Sequence, residues 1–164
     1  MLIDLKKYFS GEDISQAIDY TVDLSEVEID GCKPFVTPVQ VKGSIRSFAC
    51  AELNVEGRYA YSMPCNRCLT LTRKELCHNI SHVIVNKLND EEDFEDYIVI
   101  EGDELDLDEL IYSDIILLTP TKFLCKEDCK GLCPTCGKNL NEGDCACAKQ
   151  QTDPRLEALR QLLQ

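Results

Sequence analysis

Between residues 125 and 147 the chain places six cysteines: Cys125, Cys129, Cys133, Cys136, Cys145 and Cys147. Thiols at that density bind a metal, form disulfides or exchange electrons. Cys133-Pro134-Thr135-Cys136-Gly137 has the form of a knuckle. Two sulfurs spaced by two residues can face one ion while the turn's amides hydrogen-bond to them, and the glycine supplies a positive φ. A second pair must complete a tetrahedron. Cys125 and Cys129 stand upstream, Cys145 and Cys147 downstream. Spacing alone does not choose between them.

Six thiols exceed the four that one structural zinc takes. A further pair, Cys65 and Cys68, sits in Cys65-Asn66-Arg67-Cys68 between two strand-like runs. Two and six make eight, enough for two four-cysteine sites, provided the tail folds back onto that turn. The alternative is a tight turn without metal. Cys32, Cys50 and Cys77 have no close partner in sequence and read as small buried hydrophobes. Disulfides are disfavoured because the opening MLIDLKKYFS does not read as a secretory signal and the total of eleven cysteines is odd. Cys129, Cys133 and Cys136 have the C-x3-C-x2-C spacing of radical iron–sulfur enzymes. The 28 residues after Cys136 are too few for the barrel those enzymes need, though a simple cluster stays open. A redox C-x-x-C wants a βαβ context that this chain does not offer. Structural zinc, one or two ions, is the expectation, and its role is to fold a segment without an oily core.

The elements around the thiols are mainly β. Val39, Val41 and Ile45 alternate with Gln40, Lys42, Ser44 and Arg46. Leu53, Val55, Tyr59, Tyr61 and Met63 alternate with Asn54, Glu56, Arg58 and Ser62. Period-two alternation marks strands with one buried face. A third strand is expected from about Leu69 to Val85, with a phase slip near Lys74-Glu75 that suggests a bulge. Tyr20–Ile29 and Tyr97–Glu101 are shorter candidates. Short connections point to an antiparallel, barrel-like sheet. Asp106 and Glu109 form a capping box for a helix over about 107–118. Its apolar side carries Leu107, Leu110, Ile111, Ile115 and Leu118, and Pro120 stops it. A last helix opens at Asp153-Pro154, with Leu156, Leu159 and Leu163 as its stripe. The expected organisation is an α+β domain over 1–120, a zinc-binding segment over 121–150 and a C-terminal helix over 151–164.

The formal net charge of −13 is local in origin. Residues 90–109 hold twelve acids and no base, and without them eighteen acids face seventeen Lys and Arg. The stretch reads as a solvated loop and helix start, or as an acidic face for a basic partner such as a ribosomal protein. No basic stripe of the kind that grips phosphates is visible. His78 and His82, the two histidines, are expected to be structural. No nucleophile elbow, phosphate-binding loop or calcium loop appears. With sulfur filling every ligand position, a structural metal leaves no open site for a small-molecule substrate. No run reaches membrane-spanning length, and a cytoplasmic location is expected.

The order of motifs resembles a known family. A strand-rich body leads to PCNRCL at 64–69. EGDELDLDELIYSDIILLTP follows at 101–120, CKGLCPTCGKNLN at 129–141 and DPRLEALRQLL at 153–163. Together these resemble the YceD family of large ribosomal RNA subunit accumulation proteins, in its cysteine-rich form. The resemblance implies a role in 23S ribosomal RNA processing or accumulation and in large-subunit assembly, with no established enzymatic activity. It implies precursor rRNA or a ribosomal protein as partner. Some members lack the tail cysteines, so metal binding is an elaboration of the shared role. The resemblance leaves RNA-contacting residues undefined. Lys42, Arg46, Arg58, Arg67, Arg73 and Lys74, on or beside the polar strand faces, are candidates, with solvated surface as their default reading. The competing reading of the whole chain is a zinc-stabilised adaptor or thiol-based regulator unrelated to RNA.

Overall fold

Alternating apolar residues set the architecture of the computed structural model, which describes residues 1–10, 12–48, 50–86, 97–100 and 102–147. In chain order the elements are β1 (Leu2–Asp4), α1 (Lys6–Phe9), β2 (Ser15–Val22), β3 (Val39–Phe48) and β4 (Cys50–Pro64). They continue with β5 (Leu71–Val85), β6 (Tyr97–Val99), β7 (Glu104–Asp106) and α2 (Leu107–Leu118). One sheet has the order β2-β3-β4-β5-β6, and β1 pairs with β7 in a second, two-stranded sheet.

The larger sheet is open, with β2 and β6 at its edges, so the barrel-like expectation is not met. Nor is it wholly antiparallel. β2–β3 and β3–β4 are antiparallel, but β6 lies parallel to β5, pairing Val83 with Tyr97 and Val85 with Val99. A parallel neighbour needs a long crossover in place of a short turn. The stretch 87–96 between β5 and β6 lies outside the described residues.

The chain divides into two compact units: Met1–Met63 with Leu71–Phe123, and Pro64–Thr70 with the chain from Leu124 onward. In the first, the inward residues of β3 and β4 are those the alternation names: Val39, Val41, Ile45, Leu53, Val55, Tyr59 and Tyr61 are buried. Helix α2 covers them with Leu107, Ile111 and Ile115. Asp106 caps it as expected, its Oδ1 accepting the Asp108 N–H at 3.0 Å. Leu118, assigned to the apolar side, is 44% exposed. Phe35, Tyr59 and Tyr61 form an aromatic cluster with centroids 5.3 to 6.2 Å apart, and Phe123 meets Tyr61 edge-on.

In β5 the inward side holds Leu76, His78, Ile80, His82 and Ile84 without a change of phase. The apparent slip came from Leu71 and Cys77, apolar by type yet exposed. Cys77 is therefore not a buried hydrophobe, and Cys32 and Cys50 are only half-buried. Lys74 Nζ lies 5.4 Å from the centre of the Phe123 ring, a cation–π contact. The two histidines share the inward face. His82 Nε2 lies 2.8 Å from Asp114 Oδ2 on α2. His78 stacks near Tyr59, and burial holds it below the ordinary imidazole range. Tyr20–Ile29 becomes a strand that starts and ends earlier, and residues 151–164, with the expected last helix, lie outside the described residues.

Candidate metal centres

The second unit is built on two copies of one turn. In the first, Cys65 N–H donates to Thr70 O at 2.9 Å and Leu69 N–H to Cys65 O at 2.9 Å. In the second, Cys133 N–H donates to Lys138 O and Gly137 N–H to Cys133 O, both at 2.8 Å. Cys65, Cys68, Leu69 and Thr70 thus match Cys133, Cys136, Gly137 and Lys138 in backbone hydrogen bonding. Leu69 and Gly137 both take a left-handed conformation, with φ of 59° and 70°. The glycine that the knuckle asks for is present in one turn and replaced by leucine in the other.

The six tail thiols do not gather on one ion. Cys65, Cys68, Cys125 and Cys129 form one group, and Cys133, Cys136, Cys145 and Cys147 another, with the sulfurs of each within 4.8 Å of one another. The upstream pair joins the turn cysteines, and the downstream pair completes the tail knuckle. Cys65 Sγ lies 3.8 Å from Cys129 Sγ, and Cys68 Sγ 3.6 Å from Cys125 Sγ. A tetrahedron of Zn–S bonds of about 2.3 Å has an edge of about 3.8 Å, so this spacing fits a tetrathiolate ion. It is far longer than the roughly 2.05 Å of a disulfide, and none of the eleven cysteines is in a disulfide.

The electrostatics of each group also suit a cation. Burial pushes the Cys65 thiol up, but the backbone amides of Cys125, Arg67 and Cys68 prevail and bring it down to about 6. The amides of Cys136 and Thr135 bring Cys133 down to about 6 as well. Their partners move the other way. Cys125 is pushed up to about 12 by burial and by the sulfurs of Cys129, Cys68 and Cys65. Cys147 is pushed up to about 12 by Cys136 first, then by burial. Each group thus sets lowered thiols against raised ones: Cys65 and Cys68 against Cys125 in the first, Cys133 against Cys145 and Cys147 in the second. A divalent ion removes that conflict, because it lets all four sulfurs ionise together.

Hydrogen bonds to backbone and sulfur hold the first group in place. Leu132 N–H donates to Arg67 O at 3.1 Å and Leu140 N–H to Gly131 O at 2.9 Å. Gly131 has φ of 76°, and a Cβ there would stand 3.1 Å from Arg67 O, so this approach requires glycine. Asn141 was not singled out from the sequence. Its Nδ2 donates to Cys129 Sγ at 3.3 Å while its Oδ1 accepts Lys130 N–H at 2.9 Å. Spacing rules cannot reveal such an outer contact, although Asn141 closes the CKGLCPTCGKNLN segment. The two groups differ in exposure. Cys65, Cys68 and Cys129 are buried, whereas Cys136 is exposed and Cys145 and Cys147 are half-buried.

The candidate RNA contacts do not form one basic surface. Lys42, Arg46, Arg58 and Arg73 point outward from β3, β4 and β5. Lys42 Nζ lies 3.3 Å from Asp19 on β2 and faces Glu56 across the β3–β4 pair. Arg58 pairs with Glu56, and Arg73 with Glu75 at 3.6 Å. Arg46 stands opposite Glu52. Arg67 donates to Cys129 O at 2.9 Å and serves the thiol group. No helix among the described residues is long and apolar enough to cross a membrane.

Comparison with known proteins agrees with this layout. The sequence model of the family described as "Large ribosomal RNA subunit accumulation protein YceD" matches residues 53–163, which take in both thiol groups. "Uncharacterized protein YlbN" of Bacillus subtilis (strain 168) is 31% identical over 160 residues, 88% of this chain and 86% of that protein. "Large ribosomal RNA subunit accumulation protein YCED homolog 1, chloroplastic" of Arabidopsis thaliana is 27% identical over 150 residues, 73% of this chain and 47% of that longer protein. No solved structure matches the chain. Two C-x-x-C turns, the helix opening at Asp106 and the family match together place this chain in the YceD family of large ribosomal RNA subunit accumulation proteins.

Proposed function

We propose that this chain is a non-enzymatic ribosome-assembly factor that supports 23S ribosomal RNA processing and accumulation, acting through precursor rRNA, a ribosomal protein, or both. The family match over residues 53–163 carries this reading. Both thiol groups are taken to hold zinc: two ions per chain, one bound by Cys65, Cys68, Cys125 and Cys129, the other by Cys133, Cys136, Cys145 and Cys147. Four sulfurs close each tetrahedron, so the metal supplies folding energy and has no open position for a substrate.

Depletion of the protein, followed by profiling of ribosomal subunits and 23S precursors, tests the reading. The expected result is a deficit of large subunits with unprocessed precursor, and an unchanged subunit ratio would remove it. Direct RNA contact adds a sharper expectation. Affinity for large-subunit rRNA fragments must fall steeply with salt, and replacing Lys42, Arg46, Arg58 and Arg73 together by glutamine must flatten that slope. The carboxylate beside each of these cations favours a protein as the main partner, because a face already neutralised gains less from phosphate.

A further inference from the structure

A groove of about 250 Å³ in the β unit is lined by Ile98 and Ile100 at the β6 edge, by Leu105, and by Leu110 on α2. Glu104, Asp106 and Glu109 also line it, joined by Ser113. Its lining thus combines four aliphatic side chains with three carboxylates. Asp106 has local duties, capping α2 and lying 3.7 Å from the N-terminal ammonium. Among the described residues neither Glu104 nor Glu109 forms a close ion pair; Lys6 pairs with Asp103 at 3.2 Å and feels Glu104 only as a minor, through-space charge. Acids in a helix's first turn serve its dipole, which accounts for Glu109 but not for Glu104, which lies on β7. Among the described residues strand β6 is an edge of the sheet, with no strand paired on its outer side.

We propose that this groove docks a basic segment of a protein partner, one that alternates arginine or lysine with aliphatic residues. The aliphatic side chains would rest on Ile98, Ile100 and Leu110. The cations would meet Glu104 and Glu109, and charge complementarity selects this occupant over others. A nucleic acid would bring phosphates against these carboxylates. A second copy docking through the same face would set its own Glu104 and Glu109 against them. The inference goes beyond the rRNA reading and does not depend on it.

The probe is a synthetic octapeptide alternating arginine and leucine, titrated into the full chain at moderate salt and read by fluorescence anisotropy and by methyl NMR. Binding should shift the methyl signals of Ile98, Ile100 and Leu110. The double variant Glu104→Gln, Glu109→Gln should weaken it at least tenfold, and Ser113→Trp, which fills the groove and keeps its charge, should weaken it by a similar factor. An octapeptide of arginine alone should bind at least tenfold more weakly. No binding, shifts confined to other residues, or equal affinity for the arginine-only peptide would overturn the proposal. So would an RNA oligonucleotide that perturbs the same methyls. Circular dichroism of each variant separates loss of docking from loss of fold. Should Ser113→Trp not fold, Ser113→Leu replaces it as the filling change. Subunit profiles after depletion are unaffected by any of these outcomes, so failure here is distinguishable from failure of the assembly-factor reading.

Discussion

In the β unit, Ile45, Leu53, Ile84, Leu107, Ile111 and Ile115 are sealed from solvent within one continuous apolar cluster. In the cysteine unit the corresponding cluster is Cys65, Cys68 and Cys129, with Leu124, Cys125 and Leu132 beside them. One region is held by removing apolar area from water; the other gathers eight sulfurs into two groups that could each hold a metal ion. The contrast teaches where each unit is vulnerable. A methylene deletion threatens the first, and a chelator threatens the second.

Metal removal should therefore produce the largest effect, confined to one side of the comparison. Structural zinc contributes on the order of 10 kcal/mol or more to folding, well above what the small apolar cluster around Cys65 can supply. Stripping the protein with a strong chelator should abolish hydrogen-exchange protection over 64–70 and 124–147 while β3, β4 and α2 keep theirs. Protection that persists across 124–147 would break the comparison. Native mass spectrometry should count two ions per chain before treatment, and Cys65→Ser should leave one.

The reverse experiment is Leu53→Ala. A fully buried leucine truncated in a packed core costs about 2–5 kcal/mol, measurable by urea unfolding of the β unit. The count of two ions should not change. A variant that lost metal along with β-unit stability would mean that the two units do not fold by separate means.

How much of this was legible in the sequence follows the same physical division. Period-two alternation named the inward residues of β3 and β4, because each side chain there sees one face of one sheet. The cap at Asp106 marked the start of α2 for the same local reason. Sheet closure was not legible, since it depends on edges and crossovers that no local pattern encodes. The strands β1 and β7 are three residues each, too short to show a period. The thiol partition was left open because C-x3-C and C-x-C both offered loops of plausible length. What decided it was the fold, which sets the sulfurs of Cys125 and Cys129 beside those of Cys65 and Cys68, and those of Cys145 and Cys147 beside those of Cys133 and Cys136. Cys77 looked buried by type, yet it falls on the outward side of β5.

A smaller effect belongs to Gly131. Alanine there must hold a left-handed φ and crowd Arg67 O at 3.1 Å. Strain of roughly 1–3 kcal/mol is expected, weakening metal retention by the first thiol group in a competition with a chromogenic chelator. Retention by the second group should be the same as in the parent chain. Equal loss from both groups would show that the two turns, alike in hydrogen bonding, act as a single site.

The two turns also differ at one position that can be exchanged. Leu69 holds φ of 59° where its counterpart Gly137 holds 70°, and its side chain is 65% exposed. A non-glycine residue pays roughly 1–2 kcal/mol for that conformation. Glycine returns about half of the difference through its greater freedom in the unfolded chain. Leu69→Gly should therefore stabilise the first thiol group by no more than about 1 kcal/mol, a shift of up to about fivefold in chelator competition. Gly137→Leu should weaken the second group by a comparable factor. If Leu69→Gly instead loosens the first group, the leucine is making a contact worth more than its backbone strain, and the turns are not equivalent.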